Sequence, residues 1–555
     1  IAKSQAEDGY INTWFLINDI NKRLTDLAWS HEFYTAGHLF EAAVAYYQAT
    51  GKRALLDVAI KFADFIDNNF GPGKRRDVDG HEEIELALVK LWLVTDNKRY
   101  LDLARFFIEE RGNDSRDKLY GTYCQDHLPI RDQKVAVGHC VRAMYYYSAV
   151  TDLAAISGDR GYLSSLESLW QDIVNKKMYI TGGIGVVGYD EGFAAEYFLP
   201  NRNAYCETCA AIGMALWNQR MLILSGEARF ADIIERQIYN GLMAGISLDG
   251  TSYFYVNPLA SAGGHLRQEW YGCSCCPPNL LRFIPTVGGY IYATAPDNTG
   301  IWINQYIGSS VTIPINKHKI TVVQATNYPW DGNVKITVSS AKPAVFSLNL
   351  RLPNWCDEFN VTVNNKKVDD LKPQNGYLVL NRTWVQDDTV ELSLAMPVKQ
   401  ISADPRVKEN IGARAIQRGP VVYCLESCDH NTTADRIYIP ENAKFEHQFK
   451  PELLKGVEII SGPGAGQKIM EKEDGTIGLV QTEVKITAIP YYAWSNRQPG
   501  EMAVWIPVSD TFIRPQKLTY AQIAKSSASH TNDSLSALKD GIIPDSSNDQ
   551  NVPRF

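Results

Sequence analysis

The sequence predicts a multidomain α+β protein in which an (α/α)6 barrel is followed by β-sandwich domains. Its 555 residues are too many for one hydrophobic core. Helical periodicity with a repeated helix–turn–helix unit dominates up to about residue 295, and short alternating apolar and polar runs dominate after residue 298. We therefore predict a catalytic barrel, a β-sandwich, a second β-rich domain, and a linker or the truncated start of a further module, at residues 1–295, 296–430, 431–515 and 516–555.

The helical part contains a loose internal repeat. Its four units begin with G-H-L-F-E-A-A at Gly37, G-H-E-E-I-E-L at Gly80, G-H-C-V-R-A-M at Gly138 and C-E-T-C-A-A-I at Cys206. Each unit continues through a short polar turn into a second helix, which makes an αα-hairpin. Hairpins of this kind bury their apolar faces only by stacking on neighbours, and about six of them close into a ring with the first helix inside. The chain starts without methionine, and we expect both of its termini to be cut.

The second half alternates with period two, as in F-S-L-N-L-R-L from Phe346 and V-E-L-S-L from Val390, with turn residues between the runs. This pattern is typical of a β-sandwich. A further β-rich stretch covers about 435–515 and includes E-V-K-I-T-A-I-P from Glu483. After Ile513 the composition becomes polar, which is typical of a linker.

Composition excludes some classes of partner. The net charge of −8 argues against a nucleic acid or an anionic membrane surface as partner. No apolar run approaches the roughly 18 residues of a transmembrane helix, so no membrane span is expected. A homodimer is compatible with the sequence. For localisation we expect the bacterial periplasm or another extracytoplasmic compartment, with the cytoplasm as the alternative, since an export signal would precede residue 1.

Five of the ten cysteines fall in two short segments, 206–209 and 273–276, rather than at spacings typical of disulfides. Glu207 and Cys209 can bind one ion if Glu-Thr-Cys begins a helix, where the first residue is not yet helical. Cys275 and Cys276 are followed by two prolines, which we expect to forbid a helix and to hold an extended or turn backbone. Three thiolates and one carboxylate suit Zn²⁺ in softness and number.

The charge of such a site indicates its role. Zn²⁺ with four anionic ligands is a poor Lewis acid and has no open position for water, but it keeps a thiol deprotonated. A bound thiolate can then serve as a nucleophile, and a retaining glycosidase needs one together with a carboxylic acid. Glu191 is the candidate acid, and we expect its apolar neighbours Phe193, Ala194 and Ala195 to raise its pKa. Spacing alone leaves Glu196 as a rival. The alternatives are a closed structural zinc or plain buried thiols.

The three Gly-His motifs suggest a binding pocket. By the repeat, His38, His81 and His139 occupy equivalent positions at the starts of successive inner helices, and Glu207 occupies the fourth. Repetition would bring these polar side chains to one mouth of the ring. The alternative is that each Gly-His pair only caps its helix.

At these residues the sequence resembles glycoside hydrolase family 127, the β-L-arabinofuranosidases. The resemblance is carried by E-x₁₅-E-T-C from Glu191 and by G-C-S-C-C-P-P-N from Gly272. It implies an (α/α)6 barrel with β-sandwich domains, and one or two helices of that barrel would precede residue 1. It also implies a retaining exo-glycosidase that releases terminal β-L-arabinofuranose from plant-derived glycans. The implied roles are Cys275 as nucleophile, Glu191 as acid/base, Glu207, Cys209, Cys275 and Cys276 as zinc ligands, and His38, His81, His139 and Tyr255 as sugar-binding residues.

Other functions remain open from the sequence. The same machinery could act on an acidic, branched furanose of pectin, because the pocket residues that would decide this lie outside the motifs. A non-catalytic carbohydrate-binding protein with a structural zinc would bind without releasing sugar. A polysaccharide lyase also suits a helical toroid followed by a sandwich, but it would need no zinc-bound thiolate.

Overall fold

The computed structural model of the chain describes residues 1–186, 188–471 and 477–513. The linker predicted at 516–555 lies outside the described residues. Within them the chain is a mixed α and β structure, as predicted, with its α-helices first and all but one of its strands after residue 291. In this part of the chain no helix is both long enough and apolar enough to cross a membrane.

The helical part is built from hairpins. Its helices are α1 Thr13–Asn18, α2 Glu32–Thr50, α3 Ala54–Asn69, α4 Ile84–Thr95, α5 Lys98–Glu110, α6 Cys140–Ser157, α7 Arg160–Lys176, α8 Thr208–Ser225, α9 Ala228–Arg236 and α10 Cys276–Phe283. Four hairpins pair α2 with α3, α4 with α5, α6 with α7, and α8 with α9, so the described residues supply four of the six hairpins of a full ring. The first helix of each ends in a left-handed residue that reverses the chain, namely Gly51, Asp96, Gly158 or Gly226.

The first helix of each hairpin lies inside. Helices α2, α4, α6 and α8 pack against one another in that order, and α10 packs on α8. Arg282 of α10 reaches Glu41 of α2 at 2.5 Å, which joins the two ends of this row. Helices α6 and α8 are buried over most of their surface, whereas the outer helices are buried along one face. This is the stacking that the sequence repeat predicts.

A two-sheet sandwich follows the helices. Its strands are β2 Tyr292–Thr294, β3 Gly300–Ile303, β4 Ser309–Ile315, β5 His318–Thr326, β6 Asn333–Ser340, β7 Ala344–Arg351, β8 Phe359–Val363, β9 Lys366–Lys367, β10 Tyr377–Trp384 and β11 Asp388–Leu394. One sheet has the order β10-β7-β3-β2, and the other has the order β4-β5-β6-β11-β8-β9. Alternate residues of both sheets, among them Ile336, Leu348 and Trp384, form one core.

The remaining strands form one sheet of ten. They are β12 Val398–Ile401, β13 Ala413–Arg418, β14 Val421–Glu426, β15 Ile437–Tyr438, β16 Glu446–Lys450, β17 Val457–Glu471, β18 Ile477–Pro490, β19 Glu501–Ala503 and β20 Trp505–Pro507, joined by β1, Ala260–Ala262, from the helical part. The division predicted at residue 430 falls between β14 and β15, which belong to the same sheet. A division near residue 397 agrees better with the strand pairing. The sequence predicts strands on both sides of that point, so it carries no signal of where one sheet ends and the next begins.

Candidate active site

Four potential metal ligands converge where two inner elements begin. One ligand atom from each of Glu207, Cys209, Cys275 and Cys276 lies within 4.8 Å of the others. The Sγ atoms of Cys209 and Cys276 are 3.5 Å apart, and the Cys275 Sγ is 3.4 Å from Glu207 Oε1. Residues 68 positions apart in the chain thus meet in one cluster.

Both pairs of ligands stand at the start of a helix. Glu207 is the extended N-cap residue of α8, so it and Cys209 can face the same point. Cys275 is the N-cap residue of α10, which begins at Cys276 and carries both prolines in its first turn. The prediction that these prolines forbid a helix was wrong. The first N–H groups of a helix have no partner inside it, so proline is tolerated there.

The buried donor set fits a cation. Glu207 Oε2 is buried and accepts no hydrogen bond. Burial raises the pKa of the Glu207 carboxyl and of the Cys276 thiol well above their usual ranges, so ionising the cluster without a cation is costly. A divalent ion would give the unpaired oxygen a partner and offset the repulsion between the thiolates. The described cysteines form no disulfide, which leaves all three sulfurs available.

Glu191 stands beside this group, and both of its carboxylate oxygens are engaged. Oε2 is 2.6 Å from His139 Nε2, and Oε1 accepts a hydrogen bond from the Tyr205 hydroxyl at 2.8 Å. One oxygen of Glu191 lies within 4.8 Å of ligand atoms of His139 and Glu207. Glu196, the rival candidate, is exposed and pairs with Lys176 at 2.6 Å. Of the two carboxylates, the structure brings Glu191 to the cysteine cluster.

The pKa predicted for Glu191 was wrong in direction. Burial raises it, but the hydrogen bonds from His139 and Tyr205 outweigh burial and hold the pKa of Glu191 below its usual value. Neither partner was visible from the apolar neighbours used for the prediction. The Glu191 backbone has φ of 52°, an unfavourable region for a residue with a side chain. Backbone hydrogen bonds, such as Cys140 N–H to the Glu191 carbonyl at 3.1 Å, keep it there.

The histidines converge, although not from equivalent positions. His139 is the N-cap of α6, His81 precedes α4 in a loop, and His38 lies within α2. Equivalence at helix starts therefore holds for His139 and Glu207 and was wrong for the other two, because the Gly-His letters repeat at different distances from each helix start. The rings still form a row: His81 lies 5.6 Å from His139, and Tyr34 lies 4.2 Å from His81 and 4.4 Å from His38.

Tyr255 lies beside the cluster, with its ring 6.2 Å from that of Tyr205. Its carbonyl accepts a hydrogen bond from the N–H of Thr208, within the Glu-Thr-Cys segment, at 3.0 Å. Burial and the negative charges of Glu207 and Cys275 raise the pKa of Tyr255 well above its usual value, so its hydroxyl keeps its proton. Beside these residues a cavity of about 530 Å³ is lined by Tyr34, His38, Tyr145, Cys275 and Arg282 among others. A single sugar ring fits such a volume.

Comparison with known proteins agrees with this geometry. The family profile described as "Beta-L-arabinofuranosidase, GH127 catalytic domain" matches residues 1–289, and those of the family's middle and C-terminal domains match residues 300–396 and 398–507. The chain belongs to glycoside hydrolase family 127. A curated relative from Bifidobacterium longum subsp. longum, a non-reducing end β-L-arabinofuranosidase, is 36% identical over 556 residues, covering 91% of this chain and 83% of its own length.

Solved structures of family 127 enzymes match most of this chain. A GH127 β-L-arabinofuranosidase from Geobacillus stearothermophilus T6 is 42% identical with a TM-score of 0.87, covering 91% of this chain and 85% of its own. A second GH127 β-arabinofuranosidase is 40% identical with a TM-score of 0.87, covering 92% and 83%. This protein is therefore a glycoside hydrolase, and its substrate is a carbohydrate.

Several residues of the candidate site were missed by the sequence analysis. Arg282 donates to Glu41, Asn279 and Tyr145 on one wall of the cavity, and Lys90 also pairs with Glu41. Tyr205 stands only two residues before Glu207, yet nothing in its sequence context indicates that its hydroxyl faces Glu191. Such partners come from elements far apart in the chain, and no spacing pattern predicts them.

Proposed function

We propose that this enzyme is a retaining exo-glycosidase that releases terminal β-L-arabinofuranose, with Cys275 as nucleophile and Glu191 as acid/base. The observation that carries the proposal is a cysteine sulfur beside a sugar-sized cavity, in a cluster of four metal ligands that also neighbours a hydrogen-bonded carboxylate. The names of the relatives support the same sugar. Plant-derived glycans are the proposed source of the substrate.

The metal is proposed to be Zn²⁺, held by Glu207, Cys209, Cys275 and Cys276. When bound, it would keep the Cys275 sulfur as a thiolate at neutral pH. The three other ligands orient that sulfur, because each is buried and fixed at a helix start. His38, His81, His139 and Tyr255 are proposed to bind the sugar hydroxyls.

The proposed reaction has two steps. In the first, the Cys275 sulfur forms a bond to the anomeric carbon while the bond from that carbon to the leaving oxygen breaks, and Glu191 gives that oxygen a proton. In the second, Glu191 takes a proton from water, whose oxygen displaces the sulfur and restores the thiolate. Two displacements at one carbon retain its configuration.

The cavity wall favours a neutral sugar over an acidic furanose of pectin. A sugar carboxylate would need a cation that has no other partner. The two cations that line the cavity, Lys90 and Arg282, are both engaged by Glu41. The neutral pentose is therefore the leading substrate, and the acidic furanose is the second candidate.

The decisive experiment compares Cys275→Ser with the native protein on an aryl β-L-arabinofuranoside and on pectic oligosaccharides. We expect the variant to lose hydrolysis of the arabinofuranoside by at least about 10³-fold, because a serine hydroxyl is a far weaker nucleophile at neutral pH. Metal analysis of the native protein should give about one zinc per chain.

Cys428→Ser is the matched control, because Cys428 lies in the ten-stranded sheet domain and should be dispensable for turnover. Full activity of Cys275→Ser would exclude it as nucleophile. Binding of arabinose without hydrolysis by the native protein would favour the non-catalytic carbohydrate-binding alternative.

A further inference from the structure

A row of aromatic rings leads from the candidate active site to the surface and ends at Trp29. Trp29 stacks on Tyr123 with ring centroids 5.5 Å apart and an interplanar angle of 30°. Tyr123 contacts His139 edge-on at 5.6 Å, and His139 reaches Glu191. Trp29 stands at the outer end of this row and is 61% exposed. Trp29 therefore presents an exposed aromatic ring that is linked through Tyr123 and His139 to the candidate acid Glu191.

The positions of Trp29 and Tyr123 are fixed by the Gly-His motifs at Gly80 and Gly138. The Gly80 N–H donates to the Leu27 carbonyl at 2.8 Å, and a Cβ at Gly80 would overlap the backbone of Ala28. In the same way, the His139 N–H donates to the Tyr123 carbonyl at 3.2 Å. The glycines therefore let the segments that carry the aromatic residues approach the histidines closely. Backbone hydrogen bonds, and not only side-chain contacts, thus set the distances of Trp29 and Tyr123 from the histidines.

Arg142 packs against this aromatic pair. Its guanidinium lies 4.4 Å from the centre of the Tyr123 ring and 5.9 Å from that of Trp29. The residue is buried, and it donates to the Gly80 carbonyl and to Cys124. Tyr123 stacks on one face of the indole, and Trp29 remains 61% exposed, so the ring is open to a partner from solvent. A rigid aromatic surface binds a partner with little loss of conformational entropy.

We propose that Trp29, supported by Tyr123, binds the leaving sugar, the sugar unit to which the terminal arabinofuranose is attached. This inference rests on the proposed function. The acid that protonates the leaving oxygen must lie beside that oxygen. Glu191 is held by His139, and the aromatic row continues from His139 to Trp29, so the leaving sugar extends along this row. The ligand class is a neutral sugar ring that places its C–H face on the indole.

The test measures kcat/KM on two substrates with the same terminal sugar. A β-L-arabinofuranosyl disaccharide has a leaving sugar, whereas methyl β-L-arabinofuranoside has none. In Trp29→Ala we expect the ratio of the disaccharide value to the methyl value to fall about tenfold, and in Trp29→Phe less than about threefold. Trp14→Ala is the matched control, because Trp14 is similarly exposed at 58% and lies in α1.

Two outcomes would overturn the inference, and they differ. If the native enzyme cleaves both substrates and Trp29→Ala leaves the ratio unchanged, the leaving sugar binds elsewhere and the proposed function stands. If the native enzyme cleaves neither arabinofuranoside, the proposed function fails, and this binding site fails with it. A drop in the ratio for Trp14→Ala equal to that for Trp29→Ala would also contradict a specific site.

Discussion

At the scale of single residues, the hydrogen bonds of His139 determine which of its ring nitrogens is protonated and which oxygen of Glu191 can take a proton. Its Nδ1 accepts the backbone N–H groups of Val141 and Arg142 at 3.1 and 3.3 Å, so that nitrogen carries no hydrogen. Nε2 therefore carries the hydrogen and donates it to Glu191 Oε2. Burial lowers the pKa of His139, which favours this neutral form. A proton added to Glu191 must then sit on Oε1, where the Tyr205 hydroxyl can turn from donor to acceptor.

Replacing Glu191 by alanine tests its role through the leaving group. We expect kcat/KM to fall about 10²–10⁴-fold with a sugar leaving group, whose oxygen needs a proton as its bond breaks. With a 4-nitrophenyl leaving group the loss should be much smaller, because nitrophenolate departs without a proton. Glu196→Ala, which removes an exposed carboxylate paired with Lys176, should change neither value. Equal losses of Glu191→Ala on both substrates would contradict an acid role.

The cluster of candidate metal ligands was predictable from the sequence, whereas the hydrogen-bond partners of Glu191 were not. The spacing of Glu207 and Cys209 and the adjacency of Cys275 and Cys276 are local features, so residue types and simple geometry were sufficient. The pKa of Glu191 depends on Tyr205 and His139, which approach it only in the folded chain. Long-range contacts of this kind leave no periodic signal in one sequence.

At the scale of elements, the hairpins were predictable because each helix carries its own start and stop signals. Gly158 ends α6 in the left-handed region, and Asp159 caps α7 by accepting the N–H of Gly161 at 2.8 Å. The errors arose where such signals are ambiguous. A pair of prolines both ends helices and begins them, and Gly-His occurs here inside a helix, before one and at a cap. Sequence alone does not choose between these contexts.

Asp159→Ala tests the capping of α7. We expect it to lower the free energy of unfolding by roughly 1 kcal/mol at neutral pH, because two backbone N–H groups lose their acceptor. A hydrogen bond from Arg131 lowers the pKa of Asp159 below its unfolded value. The stabilisation is therefore present above the unfolded pKa and lost as the pH falls through the folded pKa.

The measurement is urea unfolding of native and variant protein at neutral and acidic pH. The difference in the free energy of unfolding between native and variant protein should shrink as the pH falls. Asp102→Ala is the control, because Asp102 is exposed within α5 and caps no helix. A difference that grows at acidic pH would contradict the assigned direction of the Asp159 pKa.

At the scale of the whole molecule, a buried ion-pair group joins the helices to the sandwich. Arg351 of β7 is fully buried and donates to Asp232 at 2.6 Å and to Glu235, both in α9. It also donates to the Asn304 carbonyl at 2.6 Å. Two buried carboxylates of the helical domain are thus neutralised by a cation of the sandwich. Such a junction couples the unfolding of the two parts, because neither charge set is satisfied alone.

Arg351→Met should therefore destabilise the protein by about 3–5 kcal/mol, because it leaves Asp232 and Glu235 buried without their cation. We also expect thermal unfolding, followed by calorimetry, to separate into two transitions as the helices and the sandwich lose their coupling. Adding Asp232→Asn and Glu235→Gln should recover part of the loss, since it removes the unpaired charges. Arg406→Met, which breaks an exposed pair with Asp404, should change the stability far less than Arg351→Met. A single unshifted transition in Arg351→Met would show that apolar packing, rather than this ion-pair group, holds the two domains together.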